Sequence, residues 1–367
     1  MKVLHVLGEL NPSGAEVMLR EATPLWKDKG IASSILSTGN SIGIYAEELQ
    51  SAGYKVTHIP FYKNFKHFWE FYKFVKSNRF DVVHIHTERA NIFYSILAKL
   101  AKTKRIIRTI HSMFKFKGLL KIRKIIERFV VRLLGVQQVS IGNVVEQNES
   151  EQYHNQTQVV FNWIDTSKFK FIDKDEKLLH KNNLGIPYQK FVVLSIGNCS
   201  EVKNHTEIFK TIKELVNEGI YKDILYLHIG KEDICQTERK LAIELGIQEY
   251  VKFIGFAEDV RPFLYASDLF IMPSLYEGFG IAGLEALSTG LPCIFSDNSG
   301  LLEFKPYMQE VFYVQPTYIE IKKCVEKFIV GNLESNYERR KKNVAVAKQK
   351  YDVHIGAKKY INLYEGT

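Results

Sequence analysis

The stretch Met272 to Glu303, MPSLYEGFGIAGLEALSTGLPCIFSDNSGLLE, leaves the fewest folds open to this chain. It begins at the end of an apolar run, Asp268 to Met272, that reads as a strand, and turns through Pro273-Ser274 into Glu277-Gly278-Phe279-Gly280. A short apolar helix, Ile281 to Ser288, and a second strand, Pro292 to Phe295, lead into the polar turn Ser296 to Gly300. Such an order is half of an α/β ligand site, because loops leaving the carboxyl ends of parallel strands enter helix N-termini there and hold anions. Glu277 lies in the loop and Glu285 more than a turn inside the helix, in a run that looks too apolar for a wholly wet face. Glu285 is therefore either a helix-surface residue at a domain edge or a hydroxyl acceptor at the floor of a cleft. Gly278 and Gly280 permit φ > 0 and close approach of backbone N–H groups to a ligand, and a plain tight turn would ask for the same residue.

Strand-like runs at Val3–Leu7, Ala32–Ser37, Lys55–Ile59, Asp81–Ile85, Arg105–Thr109 and Val136–Ile141 alternate with helical patterns. The alternation restarts at Phe191–Ile196 and continues through Ile224–Ile229, Val251–Ile254, Asp268–Met272, Pro292–Phe295 and Val311–Tyr313. Repeated βα units predict doubly wound parallel sheets. At 367 residues the chain exceeds what one core usually supports, so two domains are expected. The boundaries fall at 1–170 and 171–350, with a helix over 351–367 crossing back to the first domain.

Charge is unevenly held. Residues 1–170 carry 25 Lys/Arg against 14 Asp/Glu, whereas 171–367 carry 25 against 27, so the first half faces something negative. Cys199, Cys235, Cys293 and Cys324 show no C-x-x-C spacing, which argues for a reducing compartment and against a zinc site or disulfide scaffold. The N-terminal apolar run is too short for a signal peptide, and no stretch approaches the roughly 18 apolar residues of a spanning helix. A cytoplasmic protein is expected.

Several residues could carry chemistry. Gly14, opening a helix after the first strand, could let that helix approach a phosphate, although most βα loops hold a glycine. His84 and His86 lie on one strand and point the same way, without a spaced third ligand for a metal. His111, at a strand exit, either contacts a substrate hydroxyl or caps the strand. Lys203, at a helix start, either neutralises a phosphate or is solvated, and Gly255-Phe256 forms a strand-exit turn that could pair a flat base. In residues 119–134, LLKIRKIIERFVVRLL, the residues Leu119, Ile122, Ile126, Phe129, Val130 and Leu133 fall on one side, with Lys121, Arg123, Lys124 and Arg128 mostly on the other. Such a helix lies on an anionic bilayer, or else packs in the ordinary way with a wet basic face. Nucleic acid is a poorer partner, since the aromatics form no stacking module and the second half is slightly acidic.

These residues resemble a bacterial family-four glycosyltransferase of the GT-B fold, over essentially the whole length. EGFGIAGLE, Glu277 to Glu285, is similar to that family's E-x7-E motif; Gly14-Ala15-Glu16 resembles its first glycine loop, and Asn162 to Asp165 its linker motif. His111 matches its strand-end histidine and Gly255-Phe256 its base-binding turn. The resemblance implies two Rossmann-like domains facing across a cleft that holds a nucleotide-sugar donor, with UDP preferred on family frequency. It implies a retaining, metal-independent enzyme without cofactor, acting on a glycan or lipid-diphosphate acceptor in surface or exopolysaccharide assembly, peripheral on the inner membrane face.

The roles it implies are specific. Glu285 would accept the ribose hydroxyls, while Glu277 and the amides of Phe279 and Gly280 would hold the sugar. Lys203 would pair with diphosphate, Gly14 would let backbone reach it, and His111 would contact the sugar near the reacting carbon. Glu303 keeps its place in a turn that departs from G-G-x-x-E, and would touch the diphosphate region or nucleotide. One departure matters: the family commonly has G-R-x-x-x-x-K where this chain has Gly197-Asn198, and asparagine supplies no charge to a diphosphate. A non-catalytic nucleotide-sugar-binding protein, or a GT-B epimerase or hydrolase, is the alternative.

Overall fold

The computed structural model describes residues 1–219, 221–330 and 337–367. The chain forms two compact units, one of residues 1–164 with 351–367 and the other of residues 165–350. In the first, strands β1 (Lys2–Leu7), β2 (Ala32–Ser37), β3 (Lys55–His58), β4 (Val82–Ile85), β5 (Arg105–Ile110), β6 (Gln137–Ser140) and β7 (Gln158–Val159) build a parallel sheet. Their spatial order is β3-β2-β1-β4-β5-β6-β7. The second holds β8 (Phe191–Ile196), β9 (Ile224–Ile229), β10 (Val251–Gly255), β11 (Leu269–Met272), β12 (Cys293–Ser296) and β13 (Val311–Val314), ordered β10-β9-β8-β11-β12-β13, again parallel. Both are doubly wound sheets, as the βα alternation predicts.

Burial explains the composition of these strands. A parallel sheet covered by helices on both faces needs apolar residues at successive positions, and β4, β11 and β12 are buried at every residue. Leu4, Val6, Val83, Ile85 and Ile106 pack beneath Phe71 and Tyr94 in one core, and Val193, Ile224, Tyr226, Leu269, Ile271 and Ile294 beneath Ile208, Phe209 and Ile212 in the other. In each sheet the order reverses between two neighbouring strands, β1 and β4 in the first and β8 and β11 in the second. Loops diverge at such a reversal, and the crevice left at the strand C-termini is where open α/β sheets bind ligands.

The helix Val353–Glu365 belongs to the first unit, where Tyr364 and Tyr360 bond to His84 and Thr109. Asp352 caps it, accepting from the His354 N–H at 2.9 Å.

The helix Gly118–Leu133 corrects one of the two sequence expectations, the packing helix with a wet basic face. Its buried positions are Lys124, Arg128 and Val131, while Leu119 is 84% exposed, Leu133 70%, and Ile122, Ile126 and Phe129 also face solvent. The apolar stripe points out because the other face meets buried acids. Arg128 makes a two-pronged bond to Glu149 at 2.6 and 2.8 Å, and Lys124 reaches Glu88 at 3.0 Å. Arg108 also pairs with Glu88. Burial alone would raise the Glu88 pKa, but Arg108, Arg128 and Lys124 outweigh it and hold that carboxyl below its ordinary value. No described helix is long and apolar enough to cross a membrane.

Candidate functional site

In the second unit, the candidate residues gather where the sheet order reverses. The β8 exit carries Lys203 and the β11 exit carries Glu277, and their side chains meet in an ion pair of 2.7 Å, both about one-fifth to one-quarter exposed. Backbone ties fix the two loops to each other: the Leu275 N–H donates to Val202 O at 2.8 Å, and Asn204 Nδ2 donates to Pro273 O at 3.2 Å. The β12 exit joins them, with Ser296 Oγ donating to Ser274 O at 2.7 Å and the Gly300 N–H to Glu277 O at 2.9 Å.

Glycine is required twice here. Gly280, capping the helix Ile281–Ser288, has φ +86°, a left-handed conformation costly for other residues. Gly300 packs so tightly that an added Cβ would lie 2.3 Å from Gly278 O and 2.6 Å from Glu277 O, both backbone atoms. Gly300→Ala must therefore displace the Glu277 loop. Turnover at this site is expected to fall about 100-fold in kcat/KM, the scale of an ångström misplacement, with the far-UV circular dichroism retained; an unchanged kcat/KM would show that the loop position does not matter.

The other nominated residues have distinct surroundings. Glu285 is half-buried in the helix Ile281–Ser288. The Phe279 ring is buried edge-on against Phe304 at 5.3 Å, which leaves only its backbone for a ligand. Glu303 is 3% exposed in the turn Gly300–Phe304, whereas Phe256, just after β10, is 55% exposed, a ring available to a flat base. Asn198 is exposed, and its Oδ1 accepts from the Lys231 N–H at 2.9 Å. Asn198 thus pins the β9 exit where the family's arginine would offer charge.

The first unit places Gly14 as the first residue of the helix Gly14–Asp28. Beside it lies a group with no role of its own in the sequence reading: Glu16, which accepts from Ser13 Oγ and whose pKa burial pushes up to about 7. His111, half-buried at the β5 exit, shares a 2.9 Å hydrogen bond with His86. His86 in turn lies 3.1 Å from His5, also not nominated. His5 and His84 stand opposite each other in the β1/β4 register, so the assumption that β1 neighbours β4 would have placed His5 beside the His84/His86 strand end. An apolar cavity of about 900 Å³ lies in this unit, lined by Phe61, Phe65, Phe68, Phe93, Phe116 and Leu120, with Lys63, Arg89, Arg123 and Lys124 among its charged residues.

Folding also assembles metal-compatible donor sets that sequence spacing does not show. Cys199, His205, His228 and Glu238 form one, and His5, His84 and His86 another, each with donor atoms within 4.8 Å of one another. Hydrogen bonds join the members of the first: Cys199 Sγ donates to Glu238 at 3.0 Å, and His205 Nδ1 lies 3.0 Å from the same carboxylate.

Both halves match glycosyltransferase families: residues 12–168 match Glycosyltransferase Family 4, and residues 176–347 match Glycosyl transferases group 1. With the paired doubly wound sheets, these matches define the chain as a glycosyltransferase of the GT-B fold. HepE of Anabaena, solved with UDP and glucose, superposes with a TM-score of 0.82 over 100% of both chains, at 16% identity. Among curated relatives, the Escherichia coli UDP-Gal:alpha-D-GlcNAc-diphosphoundecaprenol alpha-1,3-galactosyltransferase is 27% identical across 82% of this chain and 80% of its own. The Staphylococcus aureus capsular polysaccharide biosynthesis glycosyltransferase CapH is 24% identical over 78% of each.

Proposed function

We propose that this chain is a retaining, family-four glycosyltransferase that moves a sugar from a nucleotide-sugar, with UDP as the preferred nucleotide, to a lipid-diphosphate-linked acceptor or growing glycan during surface or exopolysaccharide assembly. The observation that carries the reading is the ion pair between Lys203, on the β8 exit, and Glu277, the first residue of EGFGIAGLE, at the reversal of the second sheet. Departure of a nucleoside diphosphate builds negative charge on its oxygens, and a fixed ammonium favours that state more than the ground state. In this reading Lys203 turns to the diphosphate, freeing Glu277 for sugar hydroxyls, while Glu285 accepts from the ribose and Phe256 meets the base. Gly14 brings backbone to the phosphates and Glu303 supports the diphosphate region. No protein nucleophile is assigned, because retention by front-face attack lets the leaving phosphate assist the acceptor.

The acceptor side of the reading rests on the first unit. The outward apolar stripe of the helix Gly118–Leu133, edged by exposed Arg123, suits the face of an anionic bilayer, and the apolar cavity with its lysines and arginines suits a lipid carrying phosphate. The enzyme would then work at the inner membrane surface.

The test is nucleotide release from UDP-, GDP- and ADP-linked sugars, followed by mass spectrometry with and without a lipid extract and with a chelator present throughout. Release only with lipid, undiminished by chelation, is the expected result. Release without any acceptor would replace transfer by epimerase or hydrolase chemistry. Tight binding with no release under any condition would favour the non-catalytic reading, which the engagement of Asn198 with Lys231 supports.

A further inference from the structure

Three imidazoles of the first unit form a hydrogen-bonded chain that ends at His111. His5 Nδ1 lies 3.1 Å from His86 Nε2, and His86 Nδ1 lies 2.9 Å from His111 Nε2. His84 stands outside this chain, its nitrogens engaged by Tyr364 Oη at 2.8 Å and Thr109 Oγ1 at 2.7 Å. Burial lowers the pKa of His5 to about 3 and of His111 to about 4, and that of His86 well below its ordinary value, so at neutral pH each ring carries one N–H.

Two neutral rings that share a hydrogen bond have one hydrogen between them, which leaves the chain two self-consistent arrangements. With the His86 hydrogen on Nδ1, His86 donates to His111 Nε2 and accepts from His5 Nδ1, and His111 keeps its own hydrogen on Nδ1. With it on Nε2, every bond reverses: the His5 hydrogen moves to Nε2 and His111 Nδ1 is left bare. His5 Nε2 decides between them, because it is buried with no hydrogen-bond partner, on a ring stacked 5.3 Å from Trp26. The reversed arrangement would strand an N–H donor there, and orphaned buried N–H groups are rarer than under-used acceptors. The first arrangement leaves only a lone pair.

We propose that His5 and His86 are positioning residues that hold His111 in the Nδ1–H tautomer, so that His111 offers a hydrogen-bond donor at the β5 exit and does not serve as a base. Its ligand is then an accepting oxygen, a sugar hydroxyl oxygen or a phosphate oxygen. Only the choice of a sugar rests on the proposed function.

Nitrogen-15 NMR of histidine-labelled protein reads the tautomer directly, independently of activity. Wild-type His111 is expected to show a protonated Nδ1 and an unprotonated Nε2. His86→Phe, which removes the partner, should return it towards the Nε2–H form that predominates in unconstrained neutral imidazole. A wild-type His111 protonated at Nε2 would overturn the inference whatever the enzyme does. In kinetics, His5→Phe is expected to raise the nucleotide-sugar KM about fivefold, the scale of one net hydrogen bond, with kcat within about twofold. The expected NMR pattern with an unchanged KM would uphold the tautomer lock and remove the sugar as the ligand of His111. Should His5→Phe not fold, the wild-type spectrum alone decides.

Discussion

Lys203→Ala is expected to lower kcat/KM for nucleotide-sugar turnover by two to three orders of magnitude, about the cost of removing one preorganised electrostatic contact to a charge that develops in the transition state. The expectation follows from what surrounds the ammonium. Its stem lies along Gly197, where an added Cβ would come within 3.2 Å of Lys203 Cδ and Cε, and its Nζ is held 2.7 Å from Glu277. A lysine so confined loses little freedom when a diphosphate arrives, and with Asn198 in the family's arginine position its charge matters more. Lys203→Arg should not restore activity, because a planar fork needs room that the Gly197 contact denies. Measured kcat/KM for the alanine variant within threefold of wild type would remove Lys203 from the site and undercut the whole donor assignment. Glu277→Gln complements it. Losing the carboxylate frees Lys203 for phosphate, so nucleotide affinity should hold or rise while sugar transfer falls.

The second large effect concerns stability. Glu149→Ala is expected to destabilise the protein by about 3–5 kcal/mol, because it removes the two-pronged partner of buried Arg128 and leaves it only Glu88, 3.4 Å away and shared with Arg108 and Lys124. The Glu149 side chain is fully buried and that of Arg128 1% exposed. The carboxylate also accepts from Asn155 Nδ2 at 2.8 Å, and the guanidinium lies 4.3 Å from the centre of the Tyr153 ring. Denaturant unfolding followed by fluorescence would measure the change. Arg128→Met combined with Glu149→Met should recover most of it, since a well-packed apolar pair often equals a buried ion pair. The paired variant would also test the membrane reading. If these ions hold the apolar stripe of the helix Gly118–Leu133 outward, flotation with anionic liposomes should weaken in the double variant even though stability returns. A loss below about 1 kcal/mol for Glu149→Ala would mean that Glu88 alone compensates Arg128.

Much of this was legible in the sequence, for a physical reason. Apolar runs separated by helical periods admit little besides parallel sheets, so the strands from Val3 to Tyr313 could be read directly, except the two-residue β7, too short to show a pattern. Lys203 and Glu277 could each be nominated from their place at a strand exit. Their meeting across 74 residues could not, because it depends on β8 and β11 being neighbours at the reversal of strand order. One of the two readings of the helix Gly118–Leu133, the packing helix with a wet basic face, fails for a related reason. Periodicity identifies the two faces of a helix but not which face turns inward, and here Glu88 and Glu149, distant in sequence, decide the matter. His5 escaped notice because a lone histidine in an apolar strand signals nothing until its neighbour across the sheet is known. The donor set around Cys199 was invisible for the same reason, its members coming from the β8 exit, from β9 and from the helix Thr237–Glu244.

The hydrogen bond between His84 and Tyr364 spans 280 residues of chain. A ribosome therefore releases β1 to β7 long before the tyrosines that satisfy His84 and Thr109 exist. The whole second unit, residues 165–350, is synthesised in the interval, a delay of roughly 10 to 40 s at ordinary elongation rates. During that time the nascent first sheet carries polar side chains in its interior without their eventual partners. The helix Val353–Glu365 thus completes a unit whose strands all precede the second unit in the chain.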